Sequence, residues 1–359
     1  MQSSPQASKD GTVLFACGEN PYTVRDLIDA ALFRGEIKPI WSELQRAVAA
    51  EKQAADLDLD FDESALDGAA EQFRYRYDLI TAEETEQWLE ARGLTLSDFS
   101  DFFARRYWGS TLKGKLQAAE VDYLTAPAEL RDLLTTDLIL SGELNGMARR
   151  LAWRVASGCA AENSDAVTVA SEKQGFLQRA GINETQLPDW LGRLERDNAW
   201  LEEMLKIEAL YLRQREALLT TEARARELGA LRLPLTRFSV EIIELESSDA
   251  AREALLCVRD DGSSMEEVAT EGRYPFRCAD IVLEDIPADL QQKFLSVTPG
   301  SVLDPIDQGD GFQLWRVLDK KEPNPEDPAV RERVDQRILD RHFAELCAKH
   351  IRWRFVSSE

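Results

Sequence analysis

The sequence predicts an α+β chain: a mainly helical N-terminal region carrying an internal duplication, then a smaller α/β unit, then a returning C-terminal helix. Three observations predict it. Apolar residues recur at three- and four-residue steps up to Ala230, strand-like alternation begins at Phe238-Ser-Val-Glu-Ile-Ile-Glu-Leu, and helical spacing returns after Asp327. The expected organisation is a flexible segment over 1–22, one helical repeat over 23–120, a second over 128–230, an α/β domain over 234–322 and a C-terminal helix over 326–355.

Composition bounds the function. With 359 residues, 44% of them apolar, eight Trp and fourteen Phe, the chain has the material for a buried core and does not read as disordered. Acidic residues outnumber basic ones 66 to 43, a formal net charge of -23. Such a surface repels phosphate backbones and anionic headgroups, so neither nucleic acid nor membrane is an expected partner. No segment approaches the roughly 20 apolar residues that span a bilayer.

In the first segment the apolar run is only Val13 to Cys17, too short for a signal-peptide core. The five cysteines, Cys17, Cys159, Cys257, Cys278 and Cys347, are odd in number and scattered, which argues against a disulfide framework and for a reducing compartment. A cytoplasmic location is expected.

The two helical repeats follow from self-comparison. Asp26-Leu27 with Gly35-Glu36 recurs as Asp132-Leu133 with Gly142-Glu143, and Phe73 then Trp88-Leu89 recurs as Phe176 then Trp190-Leu191. The offset is about 102 to 107 residues, as small loop deletions produce. Thr81-Ala-Glu-Glu is a capping box, matched by Asn183-Glu-Thr-Gln in the second copy. Phe99, Phe102, Phe103 and Trp108 share one helix face, as do Trp200, Met204, Ile207 and Tyr211. Stripes of this kind are core more often than ligand contacts. Tyr75, Tyr77 and Tyr107, set among arginines, are the surplus aromatics.

The α/β unit opens after Leu233-Pro234 with the alternating strand, followed by an amphipathic helix over Asp249 to Arg259 and a short one at Met265-Glu-Glu-Val-Ala-Thr. Cys278-Ala-Asp-Ile-Val-Leu leads into Ala288 to Val302, and Gly311-Phe-Gln-Leu-Trp-Arg-Val-Leu-Asp-Lys closes it. The final helix presents Val330, Val334, Ile338, His342 and Leu346 along one side.

Thr236 to Lys321, above all Ala288 to Val302 and Gly311 to Lys320, resembles the parvulin prolyl-isomerase family, and the whole layout resembles SurA-type foldases. The resemblance implies a small four-stranded sheet wrapped by short helices, and a cleft in which paired histidines and a cysteine or aspartate stabilise a twisted imide. This chain departs from that pattern. Its two histidines, His342 and His350, lie beyond the unit; the family's histidine positions fall near Ile242 and on Gln313. Phe276, Phe294, Phe312 and Trp315 remain to line an apolar groove beside them. The resemblance therefore implies a peptide-binding protein with no catalytic residues, holding an extended or unfolded peptide such as the precursor of a ribosomally made natural product. A basic stretch in that client would suit the acidic surface. Two alternatives stand beside it: an active isomerase using Gln313 and Cys278, and a dimerising scaffold. Oligomeric state is open.

No cofactor or metal is expected. P-loop, GxGxxG, HExxH and GxSxG patterns are missing, and Cys347 stands off the helix face shared by His342 and His350.

Overall fold

The computed structural model describes residues 9–112, 121–160, 166–309 and 311–354. The chain divides into two compact units, residues 1–215 with 342–359, and residues 216–341.

The first unit begins with β1 (Val13–Cys17) and β2 (Asn20–Thr23), a hairpin turned at Gly18, whose φ of 60 is left-handed. The segment expected to be flexible is thus partly a strand pair. Leu14 and Phe15 are fully buried, and β1 takes a second antiparallel neighbour from the far end of the chain. That neighbour is Ile351–Trp353, so the C-terminal helix stops short of the expected end and gives way to a strand. Neither departure is visible locally, because a strand of five residues is stabilised by partners that lie anywhere in the sequence.

Among the described residues ten helices follow: α1 (Val24–Arg34), α2 (Ile37–Asp56), α3 (Glu63–Arg76), α4 (Ala82–Glu90), α5 (Leu96–Thr111), α6 (Ala128–Ser141), α7 (Glu143–Ala160), α8 (Ala166–Ala180), α9 (Leu187–Arg193) and α10 (Asn198–Leu218). α1 and α6 both stop at a left-handed glycine, Gly35 (φ 75) and Gly142 (φ 81), where a Cβ would be penalised. Thr23, Thr81 and Thr95 form capping boxes with Asp26, Glu84 and Asp98, and Asn183 Oδ1 accepts the Gln186 amide before α9. Aromatics form the core: Phe33 stacks on Phe176 at 4.8 Å, and Phe73 and Phe176 meet the indoles of Trp88 and Trp190 edge-on.

The second unit contains α11 (Thr221–Ala230), β3 (Arg237–Leu245), α12 (Ser248–Arg259), α13 (Met265–Gly272), β4 (Phe276–Val282), α14 (Ala288–Ser296), β5 (Ile306–Asp307) and β6 (Phe312–Lys321). It ends with most of α15 (Pro328–His350), after which β7 (Ile351–Trp353) closes the sheet of the first unit. The strands pair antiparallel in the order β4-β3-β6-β5. Because side chains alternate along β3, two cores form on its two faces. Phe238, Val240 and Ile242 pack with Phe294 of α14, Leu303, Ile306 and Val317; Ile243 and Leu245 pack with α12, α13 and Leu314. Leu235 joins Val330 and Val334 of α15 in a smaller cluster. Arg333 of α15 adds a two-pronged bond to Asp285, at 3.0 and 2.7 Å, and reaches Glu284.

Candidate functional site

The residues that sequence comparison places in a cleft fall on two sides of the sheet. Ile242, fully buried, lies opposite Trp315 on β6 and Arg277 on β4. Gln313 and Trp315 share its face, and Phe294 of α14 packs there, also fully buried. Phe276 and Phe312 do not join them. Their partners across the sheet are Ile243 and Leu245, so both rings pack against the α12 and α13 core. The expectation of one six-residue groove is corrected accordingly. Four residues share a face, and two of those four are interior packing with no surface to offer a peptide.

The shared face is filled by the chain's own side chains. Trp315 meets Phe294 edge-on at 5.4 Å, and its indole Nε1–H donates to Gln313 Oε1 at 3.1 Å. The carboxamide oxygen where the family places an imidazole is therefore occupied in holding a ring over Ile242. Cys278 is exposed and lies opposite Glu241, on the other face from Ile242 and Gln313. Alternation across the pleat keeps it from acting with Gln313 on one imide. Both histidines belong to the first unit. The face also carries a carboxylate, since Glu244 lies directly opposite Gln313 and stands 3.5 Å from Arg277. Among the described residues, no three His, Cys, Asp or Glu side chains converge so as to hold a metal ion.

The sheet does offer its edge. β4 is seven residues long and has β3 as its one neighbour among the described strands. Arg277, Cys278 and Asp280 are exposed along it. Arg277 stands 3.5 Å from Glu244, and Asp280 accepts a hydrogen bond from Ser239 at 2.6 Å. Charges on an edge strand suppress indiscriminate pairing while leaving the main chain able to accept a matched partner.

The first unit contains a groove that motif reading did not locate. Leu44 and Ala47 of α2, Leu66 and Phe73 of α3, Phe102 and Phe103 of α5 and Leu138 of α6 line a space of about 820 Å3, within the roughly 300 to 1,000 Å3 typical of ligand pockets. Arg46, Arg76 and Arg106 stand on its rim, exposed, and none is ion-paired with a carboxylate among the described residues. Asp137 lies within it, bonded to Arg105 at 2.7 Å; burial raises its carboxyl above the ordinary value, and Arg105 partly offsets that. Of the surplus aromatics, Tyr107 lines the groove, Tyr77 packs against Phe73 and Trp88, and Tyr75 projects into solvent at 75% exposure. The one signal in the sequence was the pairing of Phe102-Phe103 with Arg105-Arg106. Periodicity does not separate such a wall from ordinary core.

No protein-family model matches the chain, and no curated protein matches it. Among solved structures it is similar to the peptidylprolyl isomerase PrsA of Bacillus anthracis, at 14% identity and a TM-score of 0.34, covering 56% of this chain and 96% of that one. It is similar to PrsA of Bacillus cereus, at 14% identity and a TM-score of 0.35, covering 64% and 91%. A structure from the SurA-like chaperones of Campylobacter jejuni matches at 9% identity and a TM-score of 0.20, covering 60% and 87%. The second unit does have the small four-stranded sheet with short helices that the sequence resemblance implied.

Proposed function

We propose that this chain is a non-catalytic peptide-binding chaperone or adaptor on a SurA- and parvulin-like scaffold. Its client is an extended polypeptide, with the precursor of a ribosomally made natural product as the favoured class. The observation that carries the reading is the sheet of the second unit: the face that would do the chemistry is occupied by Trp315, Phe294 and Ile242, while the edge strand β4 keeps one side without a partner strand. A peptide joining that edge gains main-chain hydrogen bonds, and Arg277 and Asp280, three residues apart and so on opposite faces of the strand, select an acid on one face and a base on the other. The apolar groove of the first unit, lined by Arg46, Arg76 and Arg106 and equally by Glu43, Asp137 and Glu143, supports a second place of contact, suited to apolar side chains flanked by charges of both signs.

Strand addition has a test of its own. A binding peptide N-methylated at every second residue is compared with the same peptide methylated at the alternate set. One set removes the donors facing β4 and is expected to abolish binding in calorimetry, and the other to leave it nearly unchanged. Equal affinity of the two sets contradicts the edge-pairing reading.

A further inference from the structure

In the first unit, two sulfurs and the basic side chains of Lys349, His350 and Arg352 line one pocket. Cys17, at the end of β1, and Cys159, near the end of α7, are joined as a disulfide across 142 residues of sequence, with Cα atoms 7.7 Å apart. The scattered spacing argued against a disulfide framework, and one pair is nevertheless joined while Cys257, Cys278 and Cys347 are free; β1 is brought beside α7 by packing that no local spacing reveals. Beside the sulfurs is an open pocket of about 450 Å3, lined also by Lys349, His350 and Arg352. Lys349 and Arg352 are exposed, and none of the three basic side chains has a hydrogen-bond or ion-pair partner among the described residues. Among the described residues, no carboxylate lines the pocket. In a chain of net charge -23 this is a local concentration of positive charge at a sulfur pair.

We propose that this pocket is a thiol–disulfide exchange site for a small disulfide bearing carboxylates, the chemistry of glutathione disulfide. Cys159 is exposed and Cys17 buried, so Cys159 reacts first. Its thiolate attacks one sulfur of the small disulfide, a Cys159 mixed disulfide forms, the small S–S bond breaks, and the departing thiolate takes up the proton that Cys159 released. Cys17, having given up its own proton, then attacks the Cys159 sulfur. The Cys17–Cys159 bond forms, the mixed bond breaks, and the second small thiol leaves protonated. In sum two protein thiols are oxidised to one disulfide and the small disulfide is reduced to two thiols. Lys349, His350 and Arg352 hold the carboxylates of the incoming molecule. The bond made ties β1, the central strand of its sheet, to the end of α7.

The experiment uses the full chain, reduced and freed of reductant, mixed with glutathione disulfide or with the neutral 2-hydroxyethyl disulfide, quenched over time and mapped by mass spectrometry. A transient adduct at Cys159 followed by the Cys17–Cys159 cross-link is expected, with glutathione disulfide faster than the neutral reagent. Lys349→Gln with Arg352→Gln is expected to reduce that preference about tenfold, and added salt to reduce it in the unaltered protein. The salt arm is independent of how well the variant folds. A first adduct at Cys257 or Cys278, failure of the cross-link to form, or a preference indifferent to both salt and charge removal overturns the proposal.

Discussion

At the scale of single residues, the account turns on what replaces an imidazole. Gln313 Oε1 accepts the indole N–H of Trp315, the residue opposite Ile242. Register decides the rest: Cys278 and Gln313 differ by one step of the pleat, and that step separates them by the thickness of the sheet. The same geometry makes one glycine obligatory. A Cβ on Gly311, at the start of β6, would stand 2.9 Å from the Leu245 carbonyl oxygen, a backbone atom that cannot swing aside. Gly311→Ala is expected to destabilise the second unit by about 1 to 3 kcal/mol, read as a lower urea midpoint with an unchanged slope. An unchanged midpoint would show that β3 and β6 approach less closely than described.

At the scale of elements, helices were the legible part and strand partners the illegible part. Thr81 and Glu84 announce the start of α4 from sequence because a cap is local chemistry, complete within four residues. The matched ends of α1 and α6 at Gly35 and Gly142 were legible for the same reason. β1 was not, since its burial depends on Ile351 to Trp353, and the division of Phe276 and Phe312 from Phe294 was not, since alternation reveals that two faces exist without saying which helix covers each. The groove between α2, α3, α5 and α6 escaped because four helices had to be placed before it existed. One contact between elements carries a pH signature. Asp29 of α1 is buried beside Arg196, 2.7 Å away at the turn between α9 and α10; burial raises its carboxyl to about 6 from 3.8, with Arg196 and Arg25 pulling the other way. A carboxyl raised by folding contributes stability that is fully present below its unfolded value and is lost as pH climbs through its folded one. Stability should therefore fall by about 2 to 3 kcal/mol between pH 4 and 6 on this group's account. Urea unfolding of Asp29→Asn across that range should show a flatter dependence; a slope equal to that of the unaltered protein contradicts the assignment.

At the scale of the whole molecule, the described chain begins and ends in one mainly helical unit with a three-stranded sheet, and the intervening residues form a second unit around a four-stranded one. Among the described residues, Arg46, Arg76 and Arg106 share the groove of the first unit with Glu43, Asp137 and Glu143, and Lys349 and Arg352 stand beside Cys159. The central claim is grip on a polypeptide without turnover at proline. Its most direct measurement is exchange NMR on a bound proline-containing peptide, following cis and trans signals with and without the protein. The account predicts line shifts that report binding, while the cis–trans exchange rate stays at its uncatalysed value. An accelerated exchange that Gln313→Ala or Trp315→Ala abolishes would contradict it.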